Sequence, residues 1–214
     1  GTPKQVYLPE KKQQHLEIQE ITAQLDEGLV TWVGNEALSK ITNLTDADDV
    51  MTWIDIPQQA GLPSDGDCVV LERVQDPGNA GTILRSAAAA GIRQIVCGND
   101  SVDIWSPKVL RAGMGAHFLL SIFNRVELSA WMETYQHQIW ATALGGRNIG
   151  LYEMDLSQSC AWVFGNEGSG VSETVKEKAD ACVKIPMLGQ TESLNVAMAA
   201  TVCLFEQMRQ RIHA

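Results

Sequence analysis

The stretch CVVLERVQDPGNAGTILRSAAAA at residues 68–90 combines an apolar run, a turn and a helical pattern. Its apolar residues follow one another without alternation, which is typical of a strand buried on both faces of a parallel sheet. Asp-Pro-Gly-Asn is a turn sequence, and the alanine-rich part after it favours a helix. The stretch therefore predicts one strand, turn and helix of an α/β fold.

The same alternation continues to the end of the chain. Further apolar runs are QIVCG, HFLLSIF, IWATAL, CAWVFG and CVKI, and helical patterns cover residues 107–112, 128–137, 171–179 and 194–211. Helices that cover both faces of such a sheet give an α/β domain of doubly wound type. Ser106 before Pro107 is expected to cap one helix, and Ser193 is expected to cap the last one.

The first part of the chain predicts a small α/β unit. It has an amphipathic helix at 11–27, a strand at 30–33, a short helix at 35–41 and a strand at 50–56. Residues 57–67 contain two prolines and two glycines, which marks a linker. We therefore expect a domain at residues 1–60, too short for a core of its own, and a second domain at residues 61–214.

Composition excludes several classes of protein. No run approaches the roughly 20 apolar residues of a membrane span, and residues 1–10 lack the apolar core of a secretion signal, so a cytoplasmic protein is expected. The five cysteines are never spaced C-x-x-C and the four histidines are scattered, so no metal site is expected. A formal charge of −10 argues against a generic nucleic-acid binder, although a local arginine cluster can act within an acidic whole.

Polar and glycine-rich segments follow three of the predicted strands. They are residues 76–81, residues 165–170 and residues 186–195. Ligands of an open parallel sheet bind beyond the carboxyl ends of its strands, so these segments are candidates for one site.

Each segment taken alone is ambiguous. Asp-Pro-Gly-Asn is a common turn, and Ser193 and Asn195 also suit the start of a helix. The glycine-rich loop lacks the lysine of a nucleoside triphosphate site. Arg85 in a small apolar helix and Glu167 between glycines are more informative, because neither suits a packing role.

Three motifs together resemble the signatures of the SpoU (TrmH-like) RNA methyltransferases. They are NAGTILR at residues 79–85, VFGNEGSGVS at residues 163–172, and IPM followed by ESLNVA within residues 185–197. They occur in the order of that family, and KVLRAGMGAHFLL at residues 108–120 is similar to its linking region. The resemblance covers about residues 66–214.

The resemblance implies a SPOUT-type parallel sheet with a C-terminal trefoil knot, usually in a homodimer. Sequence patterns alone would not predict a knot, because knots are nearly absent among folds. WVGNEALSKITNLTDADDVMTWIDI at residues 32–56 is similar to the C-terminal part of the L30-like RNA substrate-binding domain of many relatives.

The resemblance also implies a reaction and a site. The cofactor is S-adenosylmethionine, and its methyl group goes to a ribose 2′-hydroxyl of RNA. Carried over by motif, the cofactor-binding residues are Leu144, Gly145, Gly165, Asn166, Ile185, Met187 and Leu194. The catalytic candidates are Arg85, Ser193 and Asn195, supported by Asn79 and Glu167.

Family resemblance makes Arg85 the general base, although a guanidinium stays protonated far above neutral pH. Our hypothesis is that Arg85 binds the phosphate beside the target ribose in a charge-assisted contact. This phosphate, or a transiently perturbed Arg85, then takes the proton of the 2′-hydroxyl. Ser193 and Asn195 orient the hydroxyl, and Glu167 fixes its loop. Basic residues expected to cluster against the RNA backbone are Arg73, Arg85, Lys108, Arg111, Arg147 and Lys184.

Three alternatives accompany this interpretation. Ribosomal RNA is favoured as the substrate over transfer RNA, because of the L30-like part and the absence of long basic extensions. A non-catalytic RNA-binding assembly factor on the same fold is the second possibility, and the intact motif residues argue against it. A dinucleotide-dependent enzyme would need G-x-G-x-x-G after the first strand, where the sequence has PGNAGT.

Overall fold

A computed structural model describes residues 2–34, 36–41, 50–143, 148–191 and 193–212. The chain divides into two compact units, Gly1–Gln58 and Gln59–Ala214. None of the helices in the described part of the chain combines the length and apolar content that a bilayer span requires.

The first unit contains a three-stranded sheet of order β2-β1-β3. Its elements are β1 (Pro3–Pro9), α1 (Leu16–Thr22), β2 (Val30–Val33), α2 (Ala37–Ile41) and β3 (Met51–Ile54). Strand β1 has no counterpart among the predicted elements because prolines close both of its ends. Its centre nevertheless alternates as a strand does, with Val6 and Leu8 buried against Ile18 of α1.

The helix predicted at residues 11–27 is wrong in its extent. The segment folds as a 3-10 turn at Glu10–Lys12, the seven-residue α1, and a second 3-10 turn at Glu27–Leu29. Ile18 is the one buried residue of α1, whereas Leu16 is 74% exposed. A short helix gains its stability from tertiary packing, and this apolar face is too narrow to extend it.

The second unit contains a seven-stranded sheet of order β6-β5-β4-β9-β7-β10-β8. The strands are β4 (Cys68–Leu71), β5 (Gln94–Gly98), β6 (Ser121–Val126), β7 (Gln138–Thr142), β8 (Asn148–Gly150), β9 (Cys160–Phe164) and β10 (Ala181–Lys184). Every neighbouring pair in this sheet is parallel, which confirms the predicted α/β class. The short β8 was not predicted.

Helices cover both faces of this sheet. They are α3 (Pro77–Ala89), α4 (Pro107–Gly113), α5 (Leu128–Met132), α6 (Glu173–Lys178) and α7 (Val196–Arg211). Buried residues of α3, α4 and α7 pack with Val69 and Leu71 on one face of β4. Those of α5 and α6 pack with Cys68 and Val70 on the other face. Continuous apolar strands are therefore explained by burial on both sides.

Two predicted element starts differ from the structure. The run HFLLSIF was expected to be a strand, but a 3-10 turn covers Ala116–Phe118 and β6 begins at Ser121. Ser193 is not the cap of α7, because Asn195 occupies that position and its side chain accepts hydrogen bonds from Ala197 N and Met198 N. Ser106 does occupy the N-cap of α4, although its hydroxyl makes no capping hydrogen bond.

Asp67 ties the end of α7 to the edge of the sheet where the parallel strands begin. Its Oδ1 accepts hydrogen bonds from Cys160 N at 3.1 Å, Gln207 Nε2 at 2.9 Å and Arg211 Nη2 at 3.0 Å. A second guanidinium nitrogen of Arg211 contacts Oδ2. Gln207 in turn accepts a hydrogen bond from the buried indole of Trp162 at 2.6 Å. One carboxylate therefore satisfies donors from β9 and α7.

We expect Asp67→Ala to lower the free energy of unfolding by about 2 kcal/mol, because it leaves several largely buried donors without an acceptor. Urea unfolding followed by circular dichroism measures the change. Asp100→Ala is the matched control, since its carboxylate is exposed, and it should stay within about 0.5 kcal/mol of the parent. A loss for Asp67→Ala as small as that of the control would contradict this role.

Candidate active site

The carboxyl ends of β4, β9 and β10 lie at one edge of the parallel sheet, and a polar loop follows each of them. After β4 the chain enters α3 through Asp76, whose side chain accepts a hydrogen bond from Asn79 N at 2.7 Å. Pro77 follows in the first turn, where its missing N–H costs nothing. The predicted turn therefore serves as the N-terminal cap of α3.

The loop after β9 is braced by Asn166. Its side-chain oxygen accepts hydrogen bonds from the backbone N–H groups of Gly168 and Ser169, both at 3.0 Å. Its side-chain nitrogen donates to the carbonyl of Arg73 at 3.0 Å, which joins this loop to the loop after β4. A side chain at Gly165 would lie 2.3 Å from Val171 N, so glycine is required by the close return of the loop.

Glu167 lies at the tip of that loop and points to the start of α3. Its carboxylate accepts hydrogen bonds from Gln75 N at 3.2 Å, Asp76 N at 3.0 Å and Asn79 Nδ2 at 3.1 Å. Burial raises the pKa of Glu167, but the hydrogen bonds from Asp76 N, its own N–H, Asn79 and Gln75 outweigh burial and lower the pKa below its ordinary value. Glu167 is therefore an ionised brace.

Asn195 connects the third loop to the same group. Its side-chain nitrogen donates to Asn79 Oδ1 at 3.0 Å, while its side-chain oxygen accepts from the first N–H groups of α7. Asn79 thus bridges Glu167 and Asn195. Three of the predicted catalytic residues, from the first turn of α3, the loop after β9 and the N-cap of α7, form one continuous chain of hydrogen bonds.

Arg85 lies further along α3, about 9 Å from Asn79 along the helix axis. It is exposed between the buried Leu84 and Ser86, and within the described residues its guanidinium has no hydrogen bond or ion pair. A cation held on a rigid helix without an internal partner is available to a ligand.

A pocket of about 320 Å³ opens beside the loops after β9 and β10. Of the predicted cofactor-binding residues, Gly165, Asn166, Ile185, Met187 and Leu194 line it, as do Glu167 and Ser193. Leu144 and Gly145 lie outside the described residues. Lys184, predicted to contact RNA, also lines the pocket. Lining residues without a predicted role include Thr142, Ala143, Lys176, Val183, Val196 and Ala199. Thr142 and Lys184 end a strand and Ala143 follows one, so position at a strand end was the signal available for these three residues.

The lining suits an adenosine-like ligand. Ile185, Met187, Leu194 and Val196 supply apolar surface, while the polar backbone and side chains of the loop after β9 supply hydrogen-bonding groups. Within the described part of the chain, no three His, Cys, Asp or Glu side chains are arranged to hold a metal ion. The donor set fits the binding of a neutral base and ribose.

The residues predicted to contact RNA are spread over several elements. Lys108 and Arg111 are exposed on α4, which packs against α3 so closely that a side chain at Gly81 would lie 2.4 Å from Ala112 Cβ. Arg73 pairs with Glu72 at 2.9 Å and donates to Gly170 O at 3.2 Å. Lys184 lines the pocket, and Arg147 lies outside the described residues. The predicted basic cluster stays a prediction.

Known proteins resemble this chain over most of its length. The profile of the SpoU rRNA methylase family matches residues 67–205. The 23S rRNA (guanosine(2553)-2′-O)-methyltransferase RlmP of Bacillus subtilis is 33% identical over 86% of this chain and 75% of that protein. The 23S rRNA (guanosine-2′-O-)-methyltransferase RlmB of Xylella fastidiosa is 34% identical over 92% of this chain and 79% of that protein.

A solved structure has the same fold. The AdoMet-bound rRNA methyltransferase from Sinorhizobium meliloti superposes with a TM-score of 0.76 at 29% identity, covering 97% of this chain and 80% of that one. The profile match includes all three loops that converge through Glu167, Asn79 and Asn195. On these grounds the chain belongs to the SpoU rRNA methylase family.

Proposed function

We propose that this protein transfers the methyl group of S-adenosylmethionine to a ribose 2′-hydroxyl of ribosomal RNA. The observation that carries the proposal is the hydrogen-bonded chain from Glu167 through Asn79 to Asn195 at the edge of an adenosine-sized pocket. The names of RlmP and RlmB describe this reaction on guanosines of 23S rRNA. Since ribosomal RNA is the proposed substrate, we place the reaction in the cytoplasm.

The cofactor, when bound, supplies an electrophilic methyl group on a sulfonium. The protein has to hold the 2′-hydroxyl in line with that group and assist loss of its proton. In our proposal Asn195 and Ser193 position the hydroxyl, because both lie on the loop that enters α7 at the pocket. Leu144, Gly145, Gly165, Asn166, Ile185, Met187 and Leu194 remain the proposed cofactor-binding residues.

Arg85 is proposed to bind the phosphate next to the target ribose. A planar guanidinium makes two parallel hydrogen bonds to a phosphate, which a lysine cannot reproduce. The phosphate held in this way is proposed to take the proton. Lys108 and Arg111 on the adjacent α4 are proposed to extend the contact along the RNA backbone.

Arg85→Ala should lower the rate of methyl transfer at least about 100-fold, because the phosphate loses its anchor and the hydroxyl its alignment. Labelled methyl transfer to ribosomal and transfer RNA, followed by digestion and nucleoside identification, measures the rate and separates the two substrates. Arg93→Ala is the matched control, since Arg93 is exposed and directly precedes β5, at the end of the sheet away from the candidate site.

Arg85→Lys discriminates the planar clamp from a simple positive charge. Near-full turnover with unchanged RNA affinity in this variant would contradict the clamp. Label in transfer RNA alone would overturn the ribosomal substrate, and absence of label with cofactor bound would favour a non-catalytic assembly factor.

Glu167→Gln should lower turnover about tenfold with little change in thermal stability. In the variant an amide of the same shape replaces the carboxylate, and its NH2 group cannot accept the hydrogen bonds that a carboxylate oxygen accepts in the parent. The loops therefore lose their common brace. Because the pKa of Glu167 lies below its ordinary value, the brace is present above the ordinary glutamate pKa and is lost only as the pH falls through the lowered one. Glu177→Gln is the matched control, since Glu177 is an exposed carboxylate on α6, and it should retain the parent rate and pH profile.

The trefoil knot of SPOUT domains is proposed for the second unit. In support, β10 is inserted between β7 and β8, both of which precede it in the chain. The placement of β10 between two earlier strands, followed by α7 with its Thr201 hydrogen-bonded to Ser86 of α3, supports this proposal.

The first unit is proposed to be part of an L30-like RNA-binding domain. Trp53 of β3 pairs with Gln5 of β1, while Val6 and Leu8 of β1 are buried against α1. Paired residues of neighbouring strands share a face of the sheet, and the consecutive residues Gln5 and Val6 point to opposite faces. Trp53 therefore faces away from the cluster of Val6 and Leu8, and it is 59% exposed. An exposed aromatic ring suits stacking on an unpaired base.

A homodimer is proposed from the outer surface of α7. Met198, Phe205 and Ile212 recur every seven residues and are 55%, 38% and 64% exposed. This spacing aligns them on one side of the helix, opposite the buried Ala200, Cys203 and Leu204. In a dimer with twofold symmetry, this stripe packs against the same stripe of the second copy.

Met198→Glu combined with Phe205→Glu should convert the dimer into a monomer in sedimentation velocity at about 10 μM, because charges replace the apolar stripe. Leu16→Glu is the matched control, since Leu16 is an exposed apolar residue of α1, and it should leave the dimer intact. A parent protein that sediments as a monomer would contradict the proposal.

A further inference from the structure

Lys184 is a charged residue in the wall of the pocket beside the apolar Ile185 and Met187. It ends β10 and is exposed. Across the described ranges of the chain, no carboxylate pairs with its ammonium group. An unpaired cation in a pocket wall is notable in a chain whose formal charge is −10.

The other ionised groups of the pocket wall have partners. Lys176 donates to Glu173 Oε1 at 2.5 Å, which neutralises its charge within α6. The Glu167 carboxylate is surrounded by Gln75 N, Asp76 N and Asn79 Nδ2. Within the described lining, the positive charge left for a ligand is that of Lys184.

Lys184 and Glu167 lie on different sides of the pocket. Val183 packs in the cluster that contains α7, so its neighbour Lys184 points to the opposite face of the sheet, on the side of α6. Glu167 instead contacts the start of α3, which packs on the α7 face. The pocket therefore has a cationic side and an anionic side.

We propose that Lys184 binds the carboxylate of the methionine part of S-adenosylmethionine. This assignment rests on the proposed function, which puts that cofactor in this pocket. The carboxylate is the one negative group of the cofactor, whose sulfonium and α-ammonium groups are positive and whose adenosine is neutral. An ammonium in the wall attracts the carboxylate and repels both cations, so it selects the orientation of the methionine part.

Isothermal titration calorimetry with three ligands tests the assignment on the whole chain. The ligands are S-adenosylmethionine, its decarboxylated form, which keeps both cations, and 5′-methylthioadenosine, which lacks the amino acid. Lys184→Met should raise the Kd for S-adenosylmethionine about fivefold, as expected for a partly exposed ion pair, and should leave the Kd for the other two within about twofold. The fivefold difference in Kd between parent and variant should shrink in 0.5 M salt, because ions then screen exposed charges over roughly 4 Å.

Two further variants make the result specific. Lys184→Arg keeps the charge and should retain the parent affinity for S-adenosylmethionine within about twofold. Lys40→Met removes an exposed ammonium that pairs with Glu36 in the first unit, and it should change none of the three affinities.

Equal weakening of all three ligands by Lys184→Met would show a change in pocket shape and would overturn the assignment. Unchanged binding of S-adenosylmethionine would overturn it as well, while leaving the proposed function intact. A parent protein that binds none of the three ligands would overturn the proposed function and this assignment together.

Discussion

The parallel alignment of seven strands is the constraint on which the rest of the second unit depends. Parallel pairing sends every carboxyl end to one edge of the sheet, so the loops after β4, β9 and β10 meet although they are far apart in sequence. The alignment also buries both faces of each central strand, which is why Cys68, Val69, Val70 and Leu71 are all fully buried. The parallel arrangement of the strands therefore produces both the buried core and the meeting point of the loops.

Hydrogen bonds to side chains, rather than packing, organise the edge where the loops meet. The Glu167 carboxylate accepts two backbone N–H groups that precede α3, which would otherwise have to find water. Asn195 caps α7 with its oxygen and holds Asn79 with its nitrogen. Each of these polar side chains therefore serves the start of a helix and the site together, and the loops gain a defined arrangement.

Helix α7 links the two edges of the sheet. It begins at the pocket with the Asn195 cap and ends where Arg211 and Gln207 contact Asp67. Its inner side contributes Ala200, Cys203 and Leu204 to the core, while its outer side carries exposed apolar residues. The net charge of the chain says little about the candidate site, because the local field depends on individual charged groups, such as Lys184 and Glu167 in the pocket wall.

The sequence by itself determined the α/β class, most strands of the second unit and the segments that form the candidate site. These features depend on residues that are close together in the sequence, such as an uninterrupted apolar run or the Asp76-Pro77 turn. They can therefore be predicted from the sequence alone. Only the tertiary structure decided that Asn79 joins Glu167 to Asn195, that Asn195 rather than Ser193 caps α7, and that Lys184 faces the pocket. Strand order and long-range hydrogen bonds bring these residues together, and no local periodicity encodes either of them.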